Sequence, residues 1–138
     1  MAKRNDSAWV ILTDKHEVEY AERILAATQK QGVPVRLVSV YPRTMSDQDA
    51  VANAVGIVFC LHDPRWSQHV ALFDEIVKLP LLGGKGAVVA ARASRYDEGV
   101  VDYFAKRGVE LLLPKGEYMA EADAAVQMER LQRERHDR

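Results

Sequence analysis

The sequence predicts an α/β protein, a three-layer α/β/α sandwich around a five-stranded parallel sheet in the order 2-1-3-4-5. Three observations predict it. Five short apolar runs recur along 138 residues, at Trp9–Thr13, Val35–Val40, Gly56–Leu61, Ala87–Ala91 and Val109–Leu113. Each is followed by a stretch whose apolar residues recur at helical spacing. No linker or low-complexity segment interrupts the alternation, so successive strands pair in parallel through right-handed crossover helices.

Val10, Ile11 and Leu12 form a continuous apolar run, as a strand covered on both faces requires. Asp14 ends it, and His16–Gln31 then reads as a helix with Tyr20, Ile24, Ala27 and Gln31 three to four residues apart. Gly32 is placed to cap that helix and Pro34 blocks its continuation. Val35–Val40 is the second strand. Ser46–Asp49 offers capping chemistry for a short helix through Ala54. The third strand is Gly56–Leu61, and after the turn-like His62-Asp63-Pro64 a helix runs from Trp66 to Leu79. Pro80 and Gly83-Gly84 break it before the fourth strand, Ala87–Ala91. Asp97–Lys106 is a helix with Val100, Val101, Phe104 and Ala105 inward, ended by Gly108. Val109–Leu113 is the fifth strand, and the last helix runs from Met119 towards Arg133. A single domain over 1–138 is expected, with 1–7 and 132–138 as flexible tails.

Composition narrows the function classes. Apolar residues make up 48% and charged residues 28%, and the net charge is −1. That balance gives no electrostatic case for nucleic acid or an anionic membrane surface. A chain of this length buries about two-thirds of its unfolded surface, so it folds without disulfides or metal. Cys60 is the only cysteine, which excludes an internal disulfide. No apolar run approaches the roughly 20 residues that span a bilayer, and Met1–Ser7 is polar with no signal-like apolar stretch. A cytoplasmic protein is the default reading.

In such a sheet, ligands bind beyond the carboxyl ends of the strands, where the strand order reverses. The loops there offer Thr13, Asp14, Lys15, His16 and Glu17, then Cys60, His62, Asp63, Arg65 and Trp66, then Arg92, Ser94, Arg95 and Tyr96, then Pro114, Lys115 and Gly116. Thr13, Asp14, Cys60, His62, Asp63, Trp66 and Lys115 form the candidate ligand or switch pocket. A phosphate cradle uses glycine or hydroxyl residues around free backbone N–H groups. Thr13–Glu19 has no glycine and three acids, which suit a helix N-terminus and repel phosphate. His62 and Asp63 read as turn residues, with an acid–base pair that His69 could join as the alternative. His16, His62 and His69 match no zinc spacing, and no metal is expected. Cys60 reads as a buried, inert thiol. Trp66 either stacks on a planar ligand or covers the sheet edge. Lys115 either reaches the centre of the site or is a solvated turn lysine.

From Trp9 to Leu131 the chain resembles the receiver domains of bacterial response regulators. Their acidic pair falls on Thr13 and Asp14, their phosphoacceptor aspartate on Cys60, four residues before Pro64, and their hydroxyl on Ala90 or Ala91. Their lysine falls on Lys115, seven residues after Gly108. Asp14 and Lys115 alone match, so this resemblance implies a pseudo-receiver that acts by protein contact, without phosphoryl chemistry. Ala50–Leu61, Trp66–Lys78 and Leu82-Gly83-Gly84-Lys85-Gly86-Ala87-Val88-Val89 also resemble flavodoxins and NAD(P)H-dependent FMN reductases. That likeness implies FMN, although the family's phosphate loop, rich in Thr, Ser and Gly, is absent at Thr13–Glu19. The expectation taken from the sequence is therefore a flavodoxin-like fold serving as a non-catalytic, receiver-like regulatory or scaffolding module. It has no cofactor and a protein partner, a second copy of itself included. The alternative is a divergent FMN-binding oxidoreductase.

Overall fold

A computed structural model describes residues 8–40, 44–63, 65, 67–79, 86–92, 96, 98–114 and 119–136, the last two without their side chains. The elements alternate as the sequence predicts: β1 (Trp9–Thr13), α1 (Val18–Lys30), β2 (Val35–Ser39), α2 (Met45–Ala52), β3 (Gly56–Cys60), α3 (Ser67–Ile76), β4 (Ala87–Ala90), α4 (Glu98–Lys106), β5 (Glu110–Leu112) and α5 (Glu121–His136). All pairings are parallel and the order is β2-β1-β3-β4-β5. Among the described residues no helix is long and apolar enough to cross a membrane.

Burial follows position in the sheet. Every residue of β1, β3 and β4 is buried, whereas β2 and β5, at the edges, are half-exposed. Alternate residues of the central strands feed two cores. Val10, Leu12, Ile57, Phe59, Val88 and Ala90 face a layer that includes Leu72, Phe73, Val100 and Phe104 of α3 and α4. Phe59, Phe73 and Phe104 meet there edge to face or tilted, with ring centroids 5.0–6.0 Å apart. Trp9, Ile11, Val58, Cys60 and Val89 face Tyr20, Ala21 and Ile24 of α1 and Ala124 and Met128 of α5. The buried Thr28 hydroxyl donates to the Ile24 carbonyl at 2.6 Å, so a polar side chain enters this core satisfied.

The structure shifts several element ends. β5 runs from Glu110 to Leu112 and not from Val109 to Leu113: Val109 N still donates to the Phe104 carbonyl of α4 at 3.0 Å. Thr44, not Ser46, caps α2: its Oγ1 accepts from Asp47 N at 3.0 Å, and Asp47 Oδ2 accepts from Thr44 N at 3.3 Å. Arg36 of β2 donates to Asp47 at 2.8 Å, holds that carboxyl below its usual range and ties the helix to the edge strand. α5 extends as helix to His136, beyond the expected fray at Gln132, in part through its pairs Arg130–Glu134 and Glu129–Arg133. Val101 is only half-buried and Ala105 is exposed, so α4 turns Val100 and Phe104 alone fully inward. Gly32 and Gly108, with φ of 77° and 76°, follow α1 and α4 as helix-ending glycines.

One contact sets the spacing of the two central strands. Trp9 pairs with Gly56 across β1 and β3, and its fully buried ring covers the glycine. A Cβ at Gly56 would lie 2.4 Å from Trp9 Cζ3. The same indole donates from Nε1 to Gln132 Oε1 of α5 at 3.3 Å. Gly56→Ala is therefore expected to lower stability by about 2–3 kcal/mol, as overpacking of a rigid ring does. Urea denaturation of the variant beside the parent checks this, and an unchanged midpoint would show that the ring yields freely.

Candidate functional site

β1 and β3 are neighbours, but their chains leave the sheet towards opposite layers, β1 into α1 and β3 into α3. The crevice between their loops is the reversal point of the strand order. Thr13 pairs with Cys60 at its floor, and Asp14 N continues the ladder to the Cys60 carbonyl at 3.3 Å. The next residues of both strands form the rim.

Asp14 is the hub of that rim. Its Oδ1 accepts from the backbone N–H groups of His16 at 3.0 Å and Glu17 at 3.1 Å, and its Oδ2 accepts from His62 N at 2.6 Å. The carboxylate is 6% exposed. It thereby joins the start of α1 to the loop after β3, and it fills a nest of N–H groups that would otherwise suit a free anion. Thr13 supports it from behind, donating its hydroxyl proton to the Asp14 carbonyl at 2.9 Å. Glu17, also buried, forms an ion pair with Arg92, which follows β4, and lies 3.7 Å from His62 Nδ1. The His16 and His62 rings are 5.1 Å apart.

His62 and Asp63 stand in the turn after β3, and the alternative acid–base pair between them is not formed among the described residues. His62 turns towards Glu17, whereas Asp63 Oδ1 accepts from Arg65 N at 3.0 Å. His69, which could have joined that pair, is fully buried, and its Nδ1 meets the Asp63 carbonyl at 2.7 Å. Cys60 is buried, and desolvation, followed by the charges of Glu17 and Asp14, pushes its thiol pKa well above the usual range. Trp66 and Lys115 lie outside the described residues.

Sequence reasoning placed Glu17, Arg92 and Tyr96 in the loops at this end of the sheet but left them out of the candidate pocket and did not pair Glu17 with Arg92. The signal for the pair was the position of each residue at the carboxyl end of a buried strand. Tyr96, 2% exposed, stacks on Phe59 at 6.3 Å between centroids. Burial first, then the charges of Cys60, Asp14 and Glu17, push its phenol well above the usual range. Its hydroxyl has no hydrogen-bond partner among the described residues.

A cleft of about 440 Å³ lies beside this rim, lined by His16, Glu17, Glu19, Tyr20, Arg23, Met119, Ala120 and Glu121. A larger one, about 580 Å³, lies at the amino ends of β1 and β2 against α2, away from these groups. Convergent buried polar groups, not volume, make this end of the sheet the candidate site.

No protein-family model matches the sequence, and no curated protein matches it. Solved structures do match. A flavodoxin from Streptococcus pneumonia TIGR4 superposes with a TM-score of 0.57 at 18% identity, covering 95% of this chain and 99% of that one. A short-chain flavodoxin associated with a non-canonical PDU bacterial microcompartment gives 0.53 at 18% identity, over 94% of each chain. The flavodiiron protein from Giardia intestinalis gives 0.58 at 12%, over 94% of this chain and 38% of that longer one. The expectation of no cofactor is corrected by these likenesses, because flavodoxins are flavin proteins by name and favour the alternative, FMN. The missing Thr/Ser/Gly loop bears only on a phosphate, so it is no ground for a missing cofactor. The receiver resemblance has no counterpart among these three. The chain has the flavodoxin-like fold.

Three outcomes follow from the rim. Asp14→Ala strands three backbone N–H groups and is expected to cost about 2–3 kcal/mol, read as a lower denaturation midpoint; an unchanged midpoint would show that water replaces the carboxylate. Cys60 keeps its proton in the fold, whereas an unfolded chain loses it above about pH 8.5. Stability present below that pH should therefore decline as pH rises further, by at most about 1.4 kcal/mol per unit from this group. A thiol reagent at pH 8 should leave Cys60 unmodified until denaturant is added; fast labelling of the native protein would contradict its burial.

Proposed function

We propose that this chain is a flavin-binding protein of flavodoxin type. The reading is carried by the near end-to-end likeness to two flavodoxins in a chain of similar size. It is supported by the crevice at the strand-order reversal, where Asp14, Glu17, His62, Arg92 and Tyr96 converge from three strand ends. A bound flavin supplies one- and two-electron transfer. The protein's part is to bind and orient it. The loops after β3 and β4 would flank the ligand, with His62 and Tyr96 as the described aromatic groups, and the Asp14–Glu17 loop would close the polar end.

The phosphate end of FMN does not fit this loop. The three N–H groups that converge there already bond to Asp14, and Glu17 stands beside them. A second reading, a receiver-like module acting through protein contacts, draws on Asp14 in the place after β1 where receivers keep acids. A strictly monomeric protein that retains no partner in a pull-down counts against it.

Titration of the purified chain with riboflavin and with FMN tests the flavin reading. Quenched flavin fluorescence and a shifted visible spectrum with at least one of them are expected. If neither flavin changes its fluorescence up to solubility-limited concentrations, the reading fails.

A further inference from the structure

We propose that the site takes a flavin without a terminal phosphate, riboflavin in preference to FMN, because Asp14 supplies the anion that a phosphate would otherwise provide. This rests on the flavin reading above and goes beyond it by naming the form of the ligand.

The backbone makes an anion site in the ordinary way. The chain turns from β1 into α1 with N–H groups pointing inward, at the positive end of a 13-residue helix. The loop after β3 adds a third N–H from His62. These donors are saturated by the two oxygens of Asp14. A phosphate could enter only by expelling that carboxylate, which is nine-tenths buried and would lose all three partners. Removing the partners of a buried charge is strongly unfavourable. Glu17, 7% exposed, places a second carboxylate at the same rim, and Arg92 forms its ion pair there. A phosphate dianion would meet two acids in a region of low solvent screening.

A neutral flavin meets no such opposition. The Tyr96 hydroxyl is buried at the carboxyl end of the sheet, near enough to Asp14, Glu17 and Cys60 to feel their charge, and has no partner among the described residues. It keeps its proton, and no described residue accepts it, so a donor is left unspent beneath the rim. Ribityl hydroxyls, which both donate and accept, suit a rim of carboxylates as donors.

The test is a side-by-side fluorescence titration of the full chain with riboflavin and FMN, repeated with Asp14→Asn. The unmodified protein should bind riboflavin at least about tenfold more tightly than FMN, a factor equivalent to 1.4 kcal/mol. Asp14→Asn removes the charge and keeps the side-chain volume, so the gap should narrow by about fivefold or more through tighter FMN binding. Inorganic phosphate at millimolar concentration should leave riboflavin binding unchanged. FMN binding as tightly as riboflavin to the unmodified protein overturns this inference and leaves the flavin reading standing. Binding of neither overturns both. The comparison on the unmodified chain is decisive even if Asp14→Asn folds poorly.

Discussion

The placement of β1 against β3 governs the rest of the molecule. Trp9 lies over Gly56, and no side chain at that position leaves room for the indole. The contact fixes a register in which Thr13 stands opposite Cys60. From there each strand has only one or two residues left before its chain turns away. The Asp14 carboxylate and the His62 N–H are thereby brought together from positions 48 residues apart. A slip of one residue would exchange the faces of the whole strand and separate that bond. The indole also reaches α5 through Gln132, so the last helix is tied to the same pair of strands.

Two kinds of burial support this arrangement. The three central strands are covered on both faces, and their alternate side chains feed two separate cores. At the carboxyl edge the burial becomes polar. Asp14, Glu17 and Thr13 are as enclosed as core residues, and each has partners: backbone N–H groups for Asp14, Arg92 for Glu17, a carbonyl for Thr13. Buried polar groups of this kind are tolerated because they are satisfied. Tyr20 closes the edge from the other layer, its hydroxyl meeting the carbonyls of Met119 and Ala91 and pinning the approach to α5 against the end of β4.

The fold was legible because doubly covered strands write themselves as unbroken apolar runs. Trp9–Thr13 matches to the residue. The edges were less legible: β5 mixes an exposed Glu110 with half-buried Leu111 and Leu112, a pattern that an apolar count does not separate. At the site, the acids of Thr13–Glu19 pointed to helix-start chemistry, and Asp14 takes up the N–H groups of His16 and Glu17 there. What could not be read was the partner. His62 contributes a backbone N–H, which carries no residue signature, and Glu17 finds Arg92 75 positions away. The adjacency of His62 and Asp63 in sequence suggested a pair, yet successive residues at a strand exit point apart. The step from a missing phosphate loop to a missing cofactor failed for a related reason, since it judged a whole ligand by one of its ends.

Asp14 also bears on how this loop behaves in a cell. Its carboxylate is tethered a few atoms from the N–H groups it fills, so its effective concentration there is set by the chain and does not vary with solution conditions. Free phosphate and sulfate, at cellular or buffer concentrations, compete against an opponent that never dilutes. The β1–α1 turn thus keeps one shape whether or not anything occupies the crevice, and its order draws nothing from mass action.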